Sequence, residues 1–266
     1  MRAFSLAELM IAVGILGIGM MMIAMAFPVA LDQTRQAVEL STSQLVFNEA
    51  VNTLKTQVKW TELEKYIHDS DNDNYSSPPS PYDLNQSNNA EDIRLINFNA
   101  GTTYFSNFYN GTDFLEEKLI YSADDTYGWV AAVQKISNRT YKFWIFVLRE
   151  PRTLTGLTPR LELVTNSPVN VVNGLSGKIL RFVYNDSHPE YFTLQKGESM
   201  LNSDGNLYTV NEIGEPDGTN ISVMLDRDAP TAAYNYNYFA HVVDTSGTGF
   251  TRKNPVLTVY QTVISY

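Results

Sequence analysis

The sequence predicts an α+β protein: a long N-terminal helix, membrane-spanning and then amphipathic, packed on a β-rich, mostly antiparallel C-terminal head. Three observations carry this expectation. From Leu9 to Leu31 there is no charged residue. From Asp32 to about Ile67, apolar residues recur at helical spacing with no glycine or proline. Beyond Asp92 the chain changes to short β-branched and aromatic segments separated by turn residues.

As a helix, the 23 residues from Leu9 to Leu31 would rise roughly 35 Å at ~1.5 Å per residue, enough to cross a hydrocarbon core of about 30 Å. Arg2 precedes the run and Asp32 follows it, so the positive-inside bias keeps the N-terminus cytoplasmic and exports the body. A cleaved secretory signal fits less well. The charged region before the run is only a few residues long, the apolar stretch exceeds the usual ~7–15, and helical sequence follows Pro28. Gly14, Gly17 and Gly19, with Ala12, Ala24 and Ala26, supply small residues that let neighbouring helices approach closely, although they would serve equally as lipid-facing filler. Glu8 stands directly before the apolar run, and a carboxylate there is tolerated if it meets a cation such as a neighbouring chain's amino terminus.

Phe4-Ser5-Leu6-Ala7-Glu8-Leu9-Met10-Ile11, followed by a long apolar helix, resembles the N-terminal motif of type IV pilins and type II secretion pseudopilins. Within that family, AVGILGIGMMMIA (residues 12–24) is most similar to the minor pilins and minor pseudopilins. The resemblance covers about the first 55 residues. It implies insertion in the inner membrane, cleavage by prepilin peptidase between Ala3 and Phe4, and methylation of the new amino group on Phe4. It also places Glu8 fifth in the mature chain, where the family keeps its assembly glutamate, and so implies charge pairing with the amine of an adjacent pilin or pseudopilin subunit. Two positions depart from the family pattern: Ala3 replaces the commoner glycine before the cut, and Ala7 stands where a bulkier apolar residue is usual. The leader, residues 1–3, is unusually short.

The expected organisation is a helical rod over 4–67, a polar loop over 68–90 and a β-rich head over 91–266. Within the rod, residues 9–31 span the membrane and 32–67 are amphipathic. Ala37, Leu40, Gln44, Phe47, Val51, Leu54 and Val58 follow a 3-4 spacing and form the stripe expected to pack on the head's sheet. Pro28, which removes a backbone donor, is the expected place for any kink. The loop is rich in Asn, Asp and Ser and holds three prolines.

In the head, YGWVAAVQK (127–135) and TYKFWIFVL (140–148) read as a hairpin turned at Ser137-Asn138-Arg139. Further strands are expected at 160–164, 179–184, 191–195, 206–210, 221–225, 237–243 and 256–264. That exceeds the three or four strands of a minimal pilin head, so inserted strands or a second β-subdomain are expected.

Composition argues against several activities. The chain carries a net charge of −10 with its basic residues scattered, which disfavours nucleic acid as a partner. It has no cysteine, so neither disulfides nor thiolate metal sites are available. His68, His188 and His241 lie far apart, and NGLSGK (173–178) lacks the length and spacing of a phosphate loop. No catalytic constellation is therefore expected. Asp69, Asp71 and Asp73 alternate as the first ligands of many calcium loops do, but Asn74 replaces the usual glycine and Ser80 the closing glutamate. A solvated acidic loop is the simpler reading, although the resemblance allows calcium, which stabilises some pseudopilin heads. The sixteen tyrosines, among them the YNYNYF stretch from Tyr234, could form an adhesive surface or serve in cross-strand pairs.

The sequence therefore points to a structural, non-enzymatic subunit, of the minor kind, in a type IV pilus or type II secretion pseudopilus. Its partners would be other such subunits, prepilin peptidase and the inner membrane, with the head in the periplasm and later on a filament in the periplasm or at the cell surface. The alternative is a signal-anchored bitopic surface protein with a ligand-binding or adhesive head. An anchored hydrolase ranks third.

Overall fold

In the computed structural model, the described residues are 5–58, 63, 93–96, 121, 123, 124, 126–149, 160–164, 170, 171, 177–184, 192, 194–202, 205–229, 239–243 and 255–266. The chain divides into two units, residues 1–44 and 45–266. One helix, α1 (Leu6–Gln57, 52 residues), supplies the described part of the first unit and opens the second. Pro28 lies inside it. Past the apolar run the surface of α1 carries local pairs: Arg35 Nε donates to Glu39 Oε1 at 3.0 Å, and Gln36 Nε2 to Asp32 Oδ2 at 3.2 Å. These i, i+4 contacts mark the change from apolar to polar helix surface.

Among the described residues the second unit holds eleven strands in two antiparallel sheets. The four-stranded sheet has the order β1 (Ile93–Ile96), β2 (Tyr127–Ser137), β3 (Thr140–Arg149), β11 (Val256–Ser265). The other seven strands are β4 (Arg160–Leu163), β5 (Asn170–Val171), β6 (Ile179–Val183), β7 (Ser199–Asn202), β8 (Leu207–Ile213), β9 (Asn220–Leu225) and β10 (Phe239–Val243). They form a second sheet in the order β4-β10-β7-β8-β9-β6-β5. In chain order, the whole second sheet is an insertion between two neighbouring strands of the first, β3 and β11.

The four-stranded sheet is covered on both faces. Odd-numbered residues of β2 and β3, including Trp129, Val133, Phe143 and Ile145, pack with Val46, Ala50 and Leu54 of α1. Even-numbered residues, including Val130, Ala132, Trp144 and Phe146, pack with Leu201 of β7 and Val242 of β10. Two-sided burial explains why GWVAAV and FWIFVL are continuous apolar runs, because a strand with one wet face would alternate. A further core within the inserted sheet gathers Leu180, Phe182, Met200, Tyr208, Val210 and Val223.

The expected stripe packs from Phe47 onward, and its first three members do not. Val46, Ala50, Leu54 and Val58 form the buried i, i+4 ridge, flanked by Phe47 and Val51, whereas Ala37, Leu40 and Gln44 are exposed. Before Ser43 the described helix buries no face, so no choice of stripe would be packed there. The described helix ends at Gln57, and the rest of the expected rod, apart from Val58 and Leu63, lies outside the described residues.

The hairpin β2–β3 forms where the sequence places it, with Arg139 in the left-handed region at φ 59°. The expected strand over 191–195 is different. Phe192, Leu194 and Gln195 lie outside strands, and the pairing segment is Ser199–Asn202. A turn intervenes. Glu198 N donates to Gln195 O at 3.2 Å, Gln195 N donates to Glu198 Oε2 at 3.0 Å, and Gly197 takes φ 85°. Strands β1 and β5, which the sequence reading did not anticipate, are edge strands of four and two residues.

Candidate functional site

The candidate site is the beginning of α1. Ser5 stands just outside the helix and its side chain accepts from the backbone of Glu8, whose amide N lies 3.2 Å from Ser5 Oγ. In return the backbone N–H of Ser5 donates to Glu8 Oε2 at 3.0 Å. The intrahelical ladder starts with Leu9 N donating to Ser5 O at 3.3 Å. Ser5-Leu6-Ala7-Glu8 is thus a reciprocal capping box, which satisfies two orphan donors of the first turn and places a carboxylate at the positive end of the helix dipole.

The sequence carries this cap as Ser-x-x-Glu, a spacing that charge pairing with a partner does not require. In the structure Glu8 has a local hydrogen-bond role. Among the described residues only one carboxylate oxygen is occupied, by the capping bond, which leaves Oε1 for a further donor.

Beyond the cap every residue from Leu6 to Ile18 is exposed, and the apolar side chains remain so to Leu31. Leu9, Ile15, Met22 and Phe27 each leave more than half their surface open, at 59, 67, 69 and 62%. The helix is long and apolar enough to cross a membrane. A Cβ added at Gly14, Gly17 or Gly19 would meet nothing within 4 Å. Nothing within the described chain therefore requires glycine at these three positions.

At the other end of α1 a side chain from β11's end closes the helix. Tyr266 Oη donates to Leu54 O at 2.8 Å, and Leu54 is among the last four carbonyls, which lack intrahelical partners. The Tyr266 ring meets Tyr141 edge-on at 5.8 Å between centroids, and Tyr260 stacks on Phe47 at 4.6 Å. Burial raises the Tyr266 phenol above its ordinary pKa.

The remaining expected residues are placed as follows. Ala3 and Phe4, Asp69, Asp71 and Asp73, and His68 and His188 lie outside the described residues. His241 lies in β10, in register with Glu162 of β4. Among the described residues no group of three or more His, Asp or Glu could hold a metal ion. Comparison with protein-family models, with curated proteins and with solved structures gives no match for this chain.

Proposed function

We propose that this chain is a structural subunit, of the minor kind, of a type IV pilus or type II secretion pseudopilus, assembled through α1. The observation that carries the proposal is the capped apolar helix: a helix whose first turn is built around Glu8 and whose next two dozen residues expose their side chains. In the membrane that surface is solvated by lipid. In a filament it would be covered by the same helix of other subunits, and the open glycine positions would let those helices approach closely.

In this mechanism prepilin peptidase cuts between Ala3 and Phe4, and the freed amine of one subunit meets the free side of another subunit's Glu8 carboxylate. Ser5 holds that carboxylate at the helix mouth before the partner arrives, so little side-chain entropy is lost on pairing. The head then faces the periplasm or the exterior.

N-terminal mass spectrometry of the protein from native membranes or a sheared surface fraction tests the proposal. A mature chain beginning at methylated Phe4 is the expected result. A chain retaining Met1-Arg2-Ala3 would overturn it and favour a bitopic anchor carrying an adhesive head.

A further inference from the structure

We draw no further inference here: the strongest candidate, the edge of the four-stranded sheet along β11, pairs with no further strand among the described residues, and nothing in the structure shows what covers it.

Discussion

The hydroxyl of Tyr266 hydrogen-bonds the carbonyl oxygen of Leu54 across 2.8 Å, joining residues 212 positions apart in the chain. It caps the last turn of α1 from the neighbouring sheet, where local sequence supplies no C-terminal glycine. Removing it in Tyr266→Phe leaves the ring packed on Tyr141 and strands one helix carbonyl. The expected loss is about 1 kcal/mol, read as a lower denaturation midpoint of the full chain with unchanged denaturant dependence.

The same residue gives a pH dependence with a definite sign. Burial raises the folded-state pKa of Tyr266, so the folded state holds its proton more tightly than the unfolded chain does. Its contribution is fully present below the unfolded value of about 10 and is lost as pH climbs from there toward the higher folded value. Thermal melts of wild type should fall more steeply above about pH 10 than those of Tyr266→Phe. Parallel alkaline profiles would contradict the assignment.

Glu8 caps α1, and one substitution separates that cap from the proposed charge pairing. Gln is accepted at this position of a capping box, so Glu8→Gln keeps the cap and removes the charge. Filament incorporation should fail while the helicity of the full chain in micelles is retained. Ser5→Ala does the reverse, fraying the first turn at a cost of about 1 kcal/mol while keeping the carboxylate. If Glu8→Gln assembles normally, charge pairing is not the assembly step.

Gly17→Leu places a large side chain where an added Cβ meets nothing of the chain itself. The melting temperature of the head should not change. Incorporation into filaments should drop several-fold if neighbouring helices pack at that point, because close approach needs small residues. Unchanged incorporation would assign the glycines to lipid-facing filler.

Leu54→Ala removes a fully buried side chain from the ridge that α1 lays on the four-stranded sheet. A loss of about 2–5 kcal/mol is expected. Leu40→Ala, on the exposed part of the same helix, should leave the head's stability within about 0.5 kcal/mol of wild type. Equal losses would mean that the head also depends on the part of α1 around Leu40.

The α+β class was legible because its signals are long: 23 uncharged residues, and a hairpin of eleven- and ten-residue strands around Asn138-Arg139. The layer order was legible in part, since the unbroken apolar run of β3 is what a strand buried on both faces requires. Two features were misjudged for local reasons. YFTLQ has higher β-propensity than SMLN, yet the turn at Lys196-Gly197 moves the pairing to SMLN, where Leu201 reaches the core shared with the first sheet. The α1 stripe packs from Phe47 to Val58, but its first members, Ala37, Leu40 and Gln44, are exposed. At the candidate site the spacing of three between Ser5 and Glu8 was in plain view, yet the reciprocal cap was legible only in the structure. The Tyr266 cap could not have been found, because nothing local links it to Leu54.

The insertion of seven strands between β3 and β11 imposes an order on synthesis. A ribosome finishes α1, β2 and β3 and then delivers about a hundred residues before Val256, so β3 waits with one edge bare through that interval. The hairpin β2–β3 closes early, because its ends are adjacent in the chain. β11 can only dock after a long-range closure, the slow kind of event in sheet folding. A nascent or prematurely terminated chain therefore presents the side of β3 that β11 should occupy, and any chaperone serving this protein has that strand to guard.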